Sequence, residues 1–202
     1  MFYEPSKGHG LPHDPFKAIV APRPIGWIST MGRDGSLNLA PYSFYNALTT
    51  DPHLVWFSSE GEKDSVTFAR ETGEFVVNLV GRSLAEKMNA SSVDAPRGVS
   101  EFDYAGLEMA PSRLVKPPRV ADAPAALECK LTEIFRPKAL DGSPSKAFVV
   151  VGQVVGVYID DAMLADGLFD IVKAGNVARL GYMEFASVTE TFPMRRPRWE
   201  MD

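Results

Sequence analysis

Apolar residues along this chain recur mostly with a period of two. Alternation and β-branching predict strands near Ile25–Thr30, Leu37–Ala40, Leu54–Ser59, Phe75–Leu79, Ala126–Phe135 and Phe148–Ile159. In the fifth of these, Leu127, Cys129, Leu131 and Glu133 alternate with Glu128, Lys130, Thr132 and Ile134, a mostly two-faced pattern. In the sixth, the run from Val149 to Val157 is apolar on both faces, and Gly152 and Gly156 within it are expected to bend the strand at the corners of a closed sheet. Arg33-Asp34-Gly35-Ser36 supplies the Gly and polar residues of a tight turn between the first two strands.

Helical signals are fewer. Asp64 or Ser65 is placed to cap a helix through about Thr72, with Val66, Phe68 and Ala69 turned inward and Gly73 as its stop. Ser83-Leu84-Ala85-Glu86 reads as a capping box opening a second helix through about Ala90, and Met163 to Leu168 as a short third one. Residues 1–18, rich in Pro, Gly and His, predict an arm, and residues 193–202 a tail. The proline-rich stretch from Val93 to Pro124 predicts a long excursion over the surface, of the kind that is usually functional or interfacial. Strands that do not alternate regularly with helices argue for a mainly β barrel in a single domain over residues 1–202, not for a doubly wound fold.

Composition narrows the class. The 202 residues suffice for one substantial domain, and 45% hydrophobic content is that of a globular protein. A net charge of −5 gives no basic field for a nucleic-acid backbone. No apolar run approaches the roughly 20 residues that span a bilayer, so no membrane role is expected. Met1-Phe2-Tyr3-Glu4-Pro5 has no signal-peptide character, which predicts a cytoplasmic location. Cys129 is the single cysteine, which excludes an intrachain disulfide and a thiolate metal cluster; on a long strand it reads as a small buried hydrophobe.

Several familiar chemistries fail on context. Gly8-His9-Gly10 starts like a dinucleotide fingerprint, but no strand precedes it and position 13 is His. Nothing matches a Walker phosphate loop, and His9 and His13 with Pro12 between them are no zinc-protease helix. Gly81-Arg82-Ser83-Leu84-Ala85 approximates a nucleophile elbow, yet Ser83 is committed to the capping box and His53 is the sole base outside the arm. The region from Arg23 to Ser65 is richer. Ser29, Thr30, Ser43, Ser58 and Ser59 sit in or at the ends of strands, beside Trp27, Tyr42, Phe44, Tyr45 and Trp56. Short donors beside flat rings suit a planar, polyhydroxylated, phosphate-bearing ligand such as a flavin nucleotide. Lys63-Asp64-Ser65 at a helix start adds amides, a hydroxyl and a point charge for the phosphate; a plain Asp cap with a solvated Lys is the alternative. Arg195-Arg196-Pro197-Arg198-Trp199 is either a solvated tail or an arm closing over a partner subunit or an anionic ligand.

The ordered run R-P-I-G-W-I-S-T, D-G-S-L-N-L-A-P-Y-S-F-Y-N, D-P-H-L-V-W-F-S-S and K-D-S resembles the flavin reductase-like family. G-E-F-V-V-N-L-V, E-F-D-Y-A-G-L, A-L-E-C-K-L, V-V-G-Q-V-V-G-V-Y-I-D-D and A-R-L-G-Y extend the likeness to about residues 15–192. It is similar to the branch containing the nitrilotriacetate monooxygenase reductase component and flavoredoxin. The resemblance implies an FMN-binding split β-barrel with a few flanking helices, built as a homodimer with flavin near the subunit interface. By position it assigns flavin contacts to Trp27, Ile28, Ser29 and Thr30, and to Asn38, Ala40, Tyr42, Ser43, Phe44 and Asn46. Ser58 and Ser59, then Lys63, Asp64 and Ser65, and finally Arg179 and Tyr182 in the late motif complete the assignment. NADH or NADPH would be the electron donor, and a monooxygenase or electron-transfer protein the partner. Short-chain members carry Gly-Asp-His before the long strand; here that stretch is Ser145-Lys146-Ala147-Phe148. A flavin-bearing electron carrier, or a module that holds FMN or a haem-like ligand without turnover, are the other readings of the same residues.

Overall fold

The computed structural model describes residues 1–96 and 98–199; Arg97 and Glu200–Asp202, the end of the expected tail, lie outside the described residues. The chain opens with α1 (Phe16–Ile19), β1 (Arg23–Pro24), β2 (Gly26–Met31), β3 (Leu37–Tyr42), β4 (Tyr45–Thr50) and β5 (His53–Glu60). It continues through α2 (Asp64–Thr72), β6 (Glu74–Asn78), α3 (Ala85–Ala90), α4 (Glu101–Tyr104), β7 (Met109–Ala110) and β8 (Arg119–Val120). The long strands β9 (Ala125–Phe135) and β10 (Ala147–Ile159) follow, then β11 (Leu164–Ala165), β12 (Leu168–Phe169), α5 (Ile171–Ala174), β13 (Val177–Arg179) and β14 (Phe185–Ser187). Seven strands form one antiparallel sheet in the order β3-β2-β6-β9-β10-β5-β4, curled into a split β-barrel. Its two edge strands, β3 and β4, are consecutive in the chain, and Phe44 between them accepts a hydrogen bond from the Ser58 amide of β5 at 2.8 Å.

The period-two pattern sorts side chains between two cores. Ile28, Val55, Phe57, Phe75, Val77, Cys129 and Val150 pack together with Val66 and Ala69 of α2. On the other face Trp27 and Leu39 pack with Val80, Leu84 and Met88 and with Phe102, Leu107, Val120 and Ala123. The segment from Val93 to Pro124 is therefore not the surface excursion that its prolines suggest. Phe102, Leu107, Val120 and Ala123 anchor it on the core that holds Trp27 and Leu39, and Val115 packs with Val76 and Ala126, with α4 and the β7–β8 hairpin between these anchors; Val93, Val99, Tyr104, Met109 and Leu114 stay exposed. Too few of the anchors are adjacent to show a period.

Three local readings need correction. Residues Leu164 to Leu168 form no helix, and Met163 only ends the 3-10 turn Asp161–Met163: β11 and β12 are a hairpin whose Asp166 and Gly167 have φ of 51° and 77°, the pair of positive angles that a tight two-residue turn requires. Ser83 sits in a 3-10 turn, Arg82–Leu84, and α3 begins at Ala85 without a side-chain cap. At α2 the N-cap position falls on Lys63, whose side chain makes no capping hydrogen bond. Its C-terminal signal works as read: Gly73 has φ 72° and its amide donates to the Ala69 carbonyl at 2.9 Å. Strand β4 has no counterpart in the sequence pattern.

Candidate functional site

A cavity of about 840 Å³ opens at one end of the barrel. Asn38, Ala40, Pro41 and Tyr42 of β3, with Ser43 and Phe44 of the following corner, form one wall. Ser58, Ser59 and Glu60 of β5 lead to Lys63 and Asp64 at the start of α2 on the other. Ser91 to Ala95, Glu101, Ser145 to Ala147 and the α1 residues Phe16 and Lys17 complete the rim.

The polar floor comes from hydroxyls set in otherwise apolar registers. In β5 the inward residues are Val55, Phe57 and Ser59, all buried, so a serine occupies the last inward place. Thr30 follows Ile28 on the same face of β2, and Ser65 is fully buried beside Val66. Asn38 ties two of these together, its amide nitrogen donating to Ser65 Oγ at 2.7 Å and to Thr30 Oγ1 at 3.4 Å. The Tyr42 ring packs on Phe57 at 4.9 Å between centroids. Tyr42 Oη and Ser59 Oγ are buried and neither reaches a hydrogen-bonding geometry, although the Ser59 and Ser65 hydroxyls lie near the phenol. A buried hydroxyl left unpaired costs about 1–3 kcal/mol. Two of them together at one cavity wall are groups that a polar ligand would satisfy.

Charge is concentrated at the rim. Lys63 Nζ pairs with Asp94 Oδ1 at 2.8 Å, and both side chains are largely exposed. That hydrogen bond is the main reason the Lys63 ammonium lies above its ordinary pKa. Glu101 is 7% exposed, its carboxylate accepts the Leu39 amide at 2.9 Å, and burial raises its pKa. Burial likewise raises the Tyr42 phenol, against smaller opposing effects of the Ser65 and Ser59 hydroxyls and of Lys63.

Of the residues singled out from sequence, Asn38, Ala40, Tyr42, Ser43, Phe44, Ser58, Ser59, Lys63 and Asp64 share this cavity, and Ser65 lies behind it. Trp27, Ile28, Ser29 and Thr30 belong to β2, of which Trp27, Ile28 and Ser29 pair with both β3 and β6, and all four side chains are fully buried. Trp27 acts from behind: its Nε1 donates to Ser91 Oγ at 2.9 Å and so fixes the start of the Ser91–Ala95 rim. Asn46 is exposed on edge strand β4, with its Oδ1 accepting the Ala47 amide at 2.8 Å. Arg179 and Tyr182 line a neighbouring pocket. Of the other rim residues, Val93–Ala95 and Glu101 fall in the long proline-rich segment and Ser145–Ala147 in the stretch before the long strand, and none was singled out as a flavin contact. They reach the cavity only through the barrel's topology.

A flavin mononucleotide fits the donor set: unpaired hydroxyls at a wall with an aromatic side chain, and a cation at a helix N-terminus for a phosphate. The chain matches the Flavin reductase like domain over residues 20–174. An uncharacterised protein of Halalkalibacterium halodurans is 37% identical over 183 residues, covering 88% of this chain and 87% of the relative. Nitrilotriacetate monooxygenase component B from Bacillus cereus superposes with a TM-score of 0.85 at 26% identity, over 96% of this chain and 98% of that one. The 2-nitrobenzoate 2-nitroreductase of Pseudomonas fluorescens follows at 0.79 and 29% identity, over 90% and 88% of the two chains. By domain match and by sequence identity across most of its length, the chain belongs to the flavin reductase-like family.

Proposed function

We propose that the protein is an FMN-dependent oxidoreductase that takes electrons from NADH or NADPH and delivers them to a monooxygenase component or another acceptor. The observation that carries the reading is the pair of buried, unpaired hydroxyls, Tyr42 Oη and Ser59 Oγ, on the wall of the 840 Å³ cavity. Membership of the family, and the likeness to a monooxygenase component B and a nitroreductase, support a flavin-linked redox role. When bound, FMN supplies the electron-transfer chemistry itself, so no protein acid or base is obligatory. Ser59, Tyr42 and Ser43 would hydrogen-bond the ligand, and the Phe44 ring would shield it. Lys63 and the first amides of α2 would hold the phosphate. No histidine lines the cavity; Ser145, Lys146 and Ala147 stand where short-chain relatives carry Gly-Asp-His. A donor side built without that histidine is part of the proposal. A homodimer is part of the proposal, since the exposed Val157 lines an apolar groove together with Tyr45, Leu127 and Phe169.

The absorption spectrum of the purified protein, before and after titration with FMN, tests the cofactor. Ser59→Ala sharpens the test. It removes an unpaired hydroxyl, so the free protein should be no less stable, while FMN should bind about tenfold more weakly. A wild-type protein that takes up no FMN overturns the reading. FMN binding without oxidation of NADH or NADPH would leave a flavin carrier instead of a reductase.

A further inference from the structure

A second pocket of about 270 Å³ adjoins the large cavity and shares Lys17, Pro41, Ser43 and Ser92 with it. Three of its lining side chains are cationic, Lys17, Arg23 and Arg179, and none is acidic. Arg23 of β1 stands directly opposite Arg179 of β13 in an antiparallel pair, where like charges repel. Arg23 is only 6% exposed. Its Nη1 donates to the carbonyls of Lys17 and Val20 and its Nη2 to that of Leu180 at 2.7 Å, while Nε has no partner. Arg179 donates to the Tyr182 carbonyl and lies over the Phe185 ring at 4.4 Å. Among the described residues no carboxylate pairs with any of the three. Both Lys17 and Arg23 face the Phe44 ring, at 6.0 and 5.8 Å, so the cluster abuts the wall of the large cavity.

A clamp on the α1 carbonyls would account for the Nη contacts of Arg23. It does not account for a second arginine in register with it, a lysine beside both, and no acid. Arg23 is buried with Arg179 opposite it and no acid in the lining, and a guanidinium pair suits a tetrahedral oxyanion. Three cations balance a phosphate or pyrophosphate better than a single carboxylate. The pocket does not include Lys63 or Asp64, so it is separate from the anchor assigned to the flavin phosphate. We propose that the Lys17–Arg23–Arg179 pocket binds the pyrophosphate of the electron-donating dinucleotide, beside the flavin cavity. The proposal rests on the flavin reading for the identity of the donor, and on the pocket alone for the anion.

The test uses wild type, Lys17→Gln and Arg179→Gln, whose side chains are not fully buried, with circular dichroism as the check on folding. Calorimetric titration with inorganic pyrophosphate should show binding to wild type that weakens about tenfold in either variant. The Michaelis constant for NADH should rise about tenfold, while that for dihydronicotinamide riboside, which has no phosphate, stays unchanged. FMN affinity of Arg179→Gln should stay within about twofold, because Arg179 lines the smaller pocket and not the flavin cavity to which its place in the late motif had assigned it; Lys17, which lines both, is left out of this comparison. Equal pyrophosphate binding by all three proteins overturns the site. An unchanged constant for NADH overturns the dinucleotide. Weakened FMN with unaltered riboflavin would mean that the pocket holds the flavin's own phosphate, which also overturns the proposal. A wild type that takes up no FMN defeats the flavin reading, yet the pyrophosphate titration still decides the pocket.

Discussion

Lys63 and Glu101 sit on the same rim, yet their environments push them to opposite uses. Lys63 is more than half exposed and paired with Asp94, a surface contact that solvent screens strongly. A ligand phosphate at the start of α2 would meet an ammonium that gives up little to reach it. A charge-assisted contact of about 1.5–3 kcal/mol predicts that Lys63→Ala weakens FMN roughly tenfold or more, with riboflavin unaffected. Unaltered FMN affinity in calorimetry would place the anchor elsewhere. Glu101 is different, because burial raises its pKa above the ordinary 4.5. Between the unfolded and folded values the native state holds more protons than the unfolded one, so stability falls as pH rises through that window. Glu101→Gln keeps an acceptor for the Leu39 amide and removes the titration. Its melting temperature should decline less than that of wild type from pH 4.5 to 7, and a margin in favour of wild type that grows with pH would contradict the assignment. At this scale Ser58, Ser59, Lys63 and Ser65 were legible because hydroxyls and a cation interrupt apolar registers at strand and helix ends. Arg23 was not, since an arginine before a proline reads as a turn until the fold shows it buried.

Strand β10 shows how far an element can be read from its pattern. Its two-faced apolar run marks it as central, and its two glycines mark bends; the register with β9 shifts between Val151 and Gly152 and again between Val154 and Gly156. The glycines answer to packing. A Cβ on Gly152 would lie 2.4 Å from the Phe75 ring, which is fully buried and has nowhere to move. Gly152→Ala should therefore destabilise by about 1–3 kcal/mol through overpacking, lowering the melting temperature by a few degrees. A thermal unfolding curve that superposes on wild type would show that the ring yields. Strand β4 escaped notice for the opposite reason. It is an edge strand whose residues are mostly exposed, so Tyr45-Asn46-Ala47-Leu48-Thr49-Thr50 has no buried face to impose alternation. The β11–β12 hairpin did carry its signal, the Asp166-Gly167 pair, but four flanking strand residues are too few to outweigh a helical spacing of apolar ones.

For the molecule as a whole, the mainly β barrel was legible, while the surface that completes it was visible only once the strands were in place. Tyr45 of β4, Leu127 of β9, Val157 of β10 and Phe169 of β12 surround one apolar groove of about 190 Å³. In its lining Val157 is 62% exposed, and Leu168, next in the chain to the lining residue Phe169, is 72% exposed. None of these positions is unusual singly, but contiguous exposed apolar patches on a folded chain mark interaction surfaces. A second copy covering the groove is the occupant that the proposed homodimer requires, and a two-fold axis would bring the same strands of both copies together. The 22.1 kDa chain should then scatter light as a species of twice that mass at micromolar concentration. Val157→Glu with Leu168→Glu puts charges on positions that are open in the single chain, so the fold should survive with its far-ultraviolet circular dichroism unchanged. In a dimer the same charges would be buried against apolar surface, and the mass should fall to that of one chain. A wild type that already scatters as a monomer would remove the dimer, and a double variant that stays dimeric would move the interface off this groove.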